Sequence, residues 1–139
     1  MITQRLQQEK RVLQALVGLA AATPVLVGIE GVVGGPSFLD VAAPWPIDLD
    51  SHFRFYSAIF LAIGIGWYST IPGIETRSSA FRMLAMLTFA GGLGRFLSLL
   101  TAGYPSSGHL LGLGMELVGV PLLVLWQARI ARKFAASLA

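Results

Sequence analysis

The chain has 139 residues, of which 55% are hydrophobic and 12% are charged, and its formal net charge is +3. Soluble domains carry about 25% charged residues, so this composition, with its apolar residues in long runs, predicts an integral membrane protein. It excludes a soluble enzyme domain, a disordered tail and, because the chain has no cysteine, a disulfide-stabilised scaffold.

Four apolar segments predict a single all-α domain over residues 1–139, an integral membrane four-helix bundle. The predicted spans cover about residues 12–33, 52–71, 80–102 and 109–128, each near the ~20 residues that cross a bilayer as a helix. The first span follows a basic segment, as a signal peptide does. Its apolar run continues to Val33, which is too long for a signal-peptide core, so we expect this span to be retained.

One extracytoplasmic loop of about 18 residues, 34–51, is predicted between the first two helices. Its prolines, Pro44 and Pro46, argue against a long helix there, and Trp45 between them is typical of a membrane interface. The loop is interpreted either as a plain surface connector or as a lid over the outer mouth of the bundle. A short second loop, 103–108, joins the last two spans.

The basic residues predict the orientation of the chain. They lie before the first span, around the loop between the second and third spans, and after the fourth span, at Arg5, Lys10, Arg11, Arg77, Arg82, Arg129, Arg132 and Lys133. The 34–51 loop contains three aspartates and no Lys or Arg. The positive-inside rule therefore predicts that both termini are cytoplasmic, and that the net charge reflects topology.

Apart from Arg82 at the cytoplasmic edge of the third span, each predicted span contains one charged residue within its apolar run: Glu30, Arg54, Arg95 and Glu116. A charge inside a bilayer costs several kcal/mol unless it has a partner or water. At a rise of ~1.5 Å per residue, Arg95 and Glu116 lie about 10 Å below the outer surface, and Glu30 and Arg54 about 5 Å below it. We predict an ion pair between Arg95 and Glu116 in the outer half of the bundle, with Glu30 and Arg54 above it.

Two further polar residues share helical faces with this pair: Ser98 follows Arg95, and His109 precedes Glu116. The six residues form a candidate polar cluster, which either binds a ligand or only fixes the register of the helices. The spacing of the histidines and acids is not that of a metal site, so no metal is predicted. The sequence identifies no catalytic residue and no cofactor.

Three short segments carry a family resemblance: His52-Phe53-Arg54-Phe55-Tyr56, Gly91-Gly92-Leu93-Gly94-Arg95, and Glu116 in an apolar setting. Over roughly residues 12–130 the chain resembles a bacterial four-helix membrane family known as domain of unknown function 4345. The resemblance implies the four-helix fold and a location in the bacterial inner (plasma) membrane as a multi-pass protein. It implies no activity, and it marks Arg54, Arg95 and Glu116 as the residues to test.

Three interpretations of function stay open. The first, which we favour, is a non-enzymatic module that binds a lipid-like small molecule or serves as an accessory subunit of a larger membrane complex. The second is a membrane enzyme acting on a lipid-soluble substrate, with Glu116 as proton donor or acceptor and His109 as a relay. The third is a small transporter, which four helices could form only as a homo-oligomer. The expected partners are the lipid bilayer and either a lipid-like small molecule, a larger membrane complex or further copies of this chain. Nucleic acid is not expected, because the basic stretches are too short.

Overall fold

The computed structural model describes residues 2–138, which form four helices and no strands. Helix α1 covers Ile2–Gly34, α2 covers Ile47–Thr70 and α3 covers Ser78–Ala102. The fourth helix has three parts: α4 (Ser107–Gly114), a π-helical turn (Met115–Gly119) and α5 (Val120–Leu138). A short 3-10 helix, Gly35–Leu39, follows α1. The all-α prediction is therefore confirmed for the described residues.

Three of the helical segments are long and apolar enough to cross a membrane: Gln4–Leu39, Ser78–Ala102 and Ser107–Ser137. Large apolar side chains on them face outward, such as Leu19, Leu97 and Leu125, which are 72%, 61% and 67% exposed. Helix α2, the predicted second span, is not among the three. Its 24 residues would extend about 36 Å, but Asp48, Asp50 and Arg54 lower the mean hydropathy of its first half.

The connection between α1 and α2 is shorter than the predicted loop, because α2 begins at Ile47 and leaves residues 35–46 between the helices. The early start has a local cause. Asp48 and Asp50 lie in the first turn of α2, where carboxylates interact favourably with the unpaired N–H groups of a helix N-terminus. The backbone N–H of Asp50 donates to the carbonyl of Pro46 at 3.1 Å, which closes that turn. The Trp45 indole Nε1 donates to the carbonyl of Val41 at 2.9 Å.

The chain divides into two compact units, which are described separately: residues up to Ala15 together with those from Thr70 onward, and Leu16–Ser69. In the unit Leu16–Ser69, α1 and α2 approach each other closely at glycines. A Cβ atom added to Gly28 would lie 2.7 Å from the backbone nitrogen of Leu61, and one added to Gly64 would lie 2.7 Å from a methyl carbon of Val25. These contacts are the small-residue packing that is common between membrane helices.

In the other unit, two glutamine amides hold the loop between α2 and α3. The Gln127 Nε2 donates to the carbonyl of Ile74 at 2.7 Å and to the Ser78 hydroxyl at 2.9 Å, and Gln127 is 1% exposed. The Gln14 Nε2 donates to the carbonyl of Ile71 at 2.7 Å. Buried carbonyls outside a regular helix need such donors. The loop is therefore fixed to both α1 and α5.

Two ion pairs reinforce these connections. The Lys10 ammonium is 2.7 Å from the Glu75 Oε1 and 5.3 Å from the centre of the Phe134 ring. The Lys133 ammonium is 2.6 Å from the Glu9 Oε2. The first pair joins α1 to the loop, and the second joins α5 to α1, so three separate segments meet at this end of the unit.

The Lys10–Glu75 pair predicts a loss of stability in acid. Burial alone would raise the pKa of Glu75, but its hydrogen bond from Lys10, a backbone hydrogen bond and the Lys10 charge together hold the pKa below its ordinary value of 4.5. A lowered carboxyl pKa stabilises the fold above the ordinary value, and this contribution is lost as the pH falls through the folded-state pKa. The melting temperature should therefore fall between pH 6 and about pH 3.

The check is thermal unfolding of Glu75→Gln beside the wild type across this pH range. The variant is expected to be less stable at pH 6 and to lose less stability on acidification. Asp40→Asn, at an exposed position of the α1–α2 connection, is the matched control and should follow the wild-type profile. Parallel profiles for wild type and Glu75→Gln would contradict the prediction.

Candidate functional site

The structure brings Arg95 and Glu116 into contact. Arg95 lies in the second half of α3, and Glu116 lies in the π-helical turn of the fourth helix. The Arg95 Nε donates to the Glu116 Oε1 at 3.1 Å. The two residues are 21 positions apart in the chain, so the pair joins two neighbouring helices.

The two partners differ in exposure. The side chain of Glu116 is 9% exposed and that of Arg95 is 36% exposed. The second carboxylate oxygen of Glu116, Oε2, is enclosed and has no hydrogen-bond partner among the described residues. For Arg95, the one hydrogen bond recorded within residues 2–138 uses Nε. The two Nη groups, which carry four N–H donors, have no hydrogen-bond partner recorded within the same residues.

Gly92 permits the close approach that forms this pair. A Cβ atom added to Gly92 would lie 2.8 Å from the Cβ of Glu116 and 2.8 Å from a methyl carbon of Leu117. Real Cβ atoms essentially never come so near to another heavy atom. Glycine at position 92 is thus a requirement of the α3 contact with the fourth helix.

Glu116 lies in a π-helical turn of the fourth helix, Met115–Gly119. The backbone N–H of Val120 donates to the carbonyl of Met115, five residues earlier. Pro121 follows directly, and proline has no N–H and clashes with the carbonyl four residues before it. Widening the turn ahead of Pro121 relieves this clash. Turns of this kind are rare and occur frequently at functional sites.

The surface next to the guanidinium is open. Gly91 lies four residues before Arg95, which places it on the same helical face, and a helical side chain leans toward the residues before it. A Cβ atom at Gly91 or Gly94 would meet nothing within 4 Å, and the same is true of Gly112, four residues before Glu116. No side chain therefore covers the helix surface beside the pair at these positions.

The other members of the predicted cluster have different surroundings. The His109 Nδ1 is 2.9 Å from the Ser106 hydroxyl, at the start of α4. Ser98 and Glu30 are exposed, and no hydrogen bond from either side chain is recorded within residues 2–138. Among the six candidates, the structure thus records direct contact between Arg95 and Glu116.

Arg54 binds groups that were not predicted from the sequence. Its Nε and Nη2 donate to Asp50 at 2.9 and 3.1 Å, and its Nη1 donates to the carbonyls of Val32 and Val33 at 2.6 and 3.0 Å. Arg54 thereby satisfies carbonyls at the end of α1, which lack partners in the helix itself. The sequence placed Arg54 in one layer with Glu30, but its recorded contacts are with Asp50 and these carbonyls instead. The i,i+4 spacing of Asp50 and Arg54 was the available signal.

The long apolar helices and the outward-facing apolar side chains are typical of helical membrane proteins. A family model described as Domain of unknown function (DUF4345) matches residues 12–127. The chain therefore belongs to this family, as the sequence resemblance implied. No curated protein and no solved structure matches the chain.

Proposed function

We propose that the chain is a small, non-enzymatic integral membrane protein that holds the polar head of a lipid-like molecule at Arg95. In this proposal all four helices cross the bacterial inner membrane and both termini are cytoplasmic. The orientation follows from the positive-inside rule, because the exposed arginines outside the helix centres lie before the apolar stretch of α1, around the start of α3 and after the apolar stretch of the fourth helix, all on one predicted side.

The contacts of Arg54 support insertion of α2, although its first half is polar. Asp50 neutralises the guanidinium, and the carbonyls of Val32 and Val33 accept further hydrogen bonds. A paired and hydrogen-bonded arginine near the end of a helix is much cheaper to insert than an isolated one. The remaining part of α2, from Phe55 to Thr70, contains no charged residue.

The observation that carries the ligand proposal is the free pair of Nη groups on Arg95. Glu116 takes the Nε hydrogen and fixes the side chain, while both Nη groups have no partner in the described part of the chain. Inside a membrane, unpaired N–H donors are costly. A carbonyl, ester, carboxylate or phosphate oxygen on an amphipathic molecule would satisfy two of them at once, because the guanidinium fork suits bidentate contact.

The open helix surface beside the pair supports the same proposal. The missing side chains at Gly91 and Gly112 leave room next to the guanidinium for a head group. Exposed apolar side chains on α3, such as Leu93 and Phe96, would contact an acyl or isoprenoid tail. An enzyme that uses Glu116 for proton transfer is less well supported. The Oε1 of Glu116 is bound to Arg95 and the Oε2 of Glu116 is enclosed. A substrate would therefore not reach either carboxylate oxygen directly.

Native mass spectrometry of the full-length protein, extracted in mild detergent, tests this proposal. The wild type should retain a small amphipathic molecule, and Arg95→Lys should retain at least about fivefold less, because lysine keeps the charge opposite Glu116 but lacks the guanidinium fork. Arg77→Lys, at an exposed position in the loop before α3, is the matched control and should bind as the wild type does. Equal retention by Arg95→Lys would contradict the proposal, as would a wild type that carries only a protein partner.

A further inference from the structure

Exposed arginines carry the net positive charge at the end of the molecule where α1 begins and α5 ends. In the unit formed by residues up to Ala15 and from Thr70, the acids at this end are Glu9 and Glu75, and each is paired with a lysine, at 2.6 Å and 2.7 Å. Lys10 and Lys133 are therefore neutralised within the fold. The positive charge that remains belongs to guanidinium groups.

Five of these arginines form a set that we call the arginine collar: Arg5, Arg11, Arg82, Arg129 and Arg132. All five are exposed, and within residues 2–138 the structure records no hydrogen bond or ion pair for any of them. Arg129 also attracts the Glu9 carboxylate electrostatically. Apart from this attraction at Arg129, the collar presents guanidinium groups that make no hydrogen bond or ion pair within the described residues.

The two lysine pairs show that the collar residues come from segments that meet. Arg11 follows Lys10, whose ammonium binds Glu75 in the loop before α3. Arg132 precedes Lys133, whose ammonium binds Glu9 on α1. The collar residues of α1 and α5 therefore flank contacts that tie these helices together, and Arg82 lies on the first turns of α3 just beyond the tied loop.

The collar also lies at the depth of lipid head groups if the helices cross the membrane as proposed above. Arg11 directly precedes the apolar stretch of α1, Arg129 directly follows that of the fourth helix, and Arg82 is near the beginning of α3. Arg5 and Arg132 are one to two turns further from the bilayer. Positive-inside topology requires only positive charge, and lysine would supply it. Guanidinium groups, in contrast, bind phosphate oxygens in a bidentate manner.

We propose that the arginine collar binds the phosphate groups of anionic phospholipids in the cytoplasmic leaflet. This inference rests on the proposed membrane topology, but it does not depend on a ligand at Arg95. The collar and the Arg95–Glu116 pair are separate sites with different partners. Contact with anionic head groups anchors the projecting ends of α1 and α5 to the membrane surface.

The test is native mass spectrometry of full-length protein reconstituted in an equimolar mixture of phosphatidylglycerol and phosphatidylcholine. The wild type should retain phosphatidylglycerol preferentially, and the preference should decrease roughly fivefold for each collar arginine that is removed. The triple variant Arg11→Gln, Arg129→Gln and Arg132→Gln should therefore lose it almost completely. Should the triple variant fail to insert, Arg11→Gln and Arg129→Gln alone should each show part of the loss.

Arg95→Lys, which keeps the charge opposite Glu116, separates this test from that of the proposed function. It should keep the phosphatidylglycerol preference, whether or not it loses a molecule bound at Arg95. Raising the salt concentration before extraction should weaken the preference of the wild type, because the exposed charges are then screened. Equal retention of the two lipids by the wild type would overturn the proposal, and so would an undiminished preference in the triple and single collar variants.

Discussion

Arg95→Ala is expected to lower the free energy of unfolding by about 3 kcal/mol. The substitution leaves the Glu116 carboxylate, whose side chain is 9% exposed, without its partner. Removing one member of a buried ion pair is strongly destabilising because the remaining charge stays buried and uncompensated. The measurement is unfolding of the purified protein in detergent, followed by tryptophan fluorescence.

The two members of the pair should respond differently to substitution. Glu116→Gln leaves Arg95, which is 36% exposed and can extend its long side chain toward water or head groups. This variant should lose only about 1 kcal/mol. Replacing both residues by apolar ones, as Arg95→Met with Glu116→Leu, should restore most of the stability. Equal losses of unfolding free energy for Arg95→Ala and Glu116→Gln would contradict the difference in burial between the two side chains. Arg82→Ala is the control, and its free energy of unfolding should be close to that of the wild type.

Gly92→Ala is expected to lower the free energy of unfolding by about 2 kcal/mol. The new methyl group would lie 2.8 Å from the Glu116 Cβ, an atom fixed to the backbone of the π-helical turn, so α3 and the fourth helix must move apart. The Arg95–Glu116 hydrogen bond should lengthen as a result. Retention of a molecule at Arg95 should therefore fall together with stability in this variant.

Gly91→Ala is the matched control for this change, one position earlier on the same helix. A methyl group at Gly91 meets nothing within 4 Å, and alanine favours a helix over glycine by about 0.8–1.0 kcal/mol. The control should therefore be as stable as the wild type or slightly more stable. A Gly92→Ala variant as stable as Gly91→Ala would mean that the helices do not pack as closely as described.

The helices themselves could be predicted from the sequence because long apolar runs have few alternatives to helix. The contact between Arg95 and Glu116 could also be anticipated, since counting residues from the helix ends placed both at the same depth. Arg54 could not be placed in this way. Near the helix end, two acids are possible partners for Arg54: Glu30 on another span and Asp50 one turn earlier on the same helix. Arg54 pairs with Asp50, which is closer along the helix.

Other features had no local signal. The π-helical turn lies between Gly114 and Pro121, and the hydrophobic periodicity of the sequence does not distinguish such a turn from a regular helix. The pairs Lys10–Glu75 and Lys133–Glu9 join residues 65 and 124 positions apart, so they form only once the helices have packed. These long-range pairs neutralise the two lysines and leave the exposed arginines of the collar unpaired within the described residues, a difference that the charge pattern of the sequence does not show.

Insertion of all four helices underlies both proposed sites, and α2 is the helix whose insertion is least evident from hydropathy. The chain contains no cysteine, so single cysteines can report the topology directly. Suitable exposed positions lie in the α1–α2 connection, at the start of α3, at the start of α4, and near the end of α5: Ser37, Ser79, Ser107 and Ser137.

The deciding measurement is labelling of these four single-cysteine variants in intact cells with a maleimide that does not cross the membrane. Four crossings predict that Ser37→Cys and Ser107→Cys are labelled, whereas Ser79→Cys and Ser137→Cys are labelled only after the cells are permeabilised. If α2 does not cross, the pattern beyond it is inverted. Labelling of Ser79→Cys and Ser137→Cys in intact cells, with Ser107→Cys protected, would contradict the four-span topology.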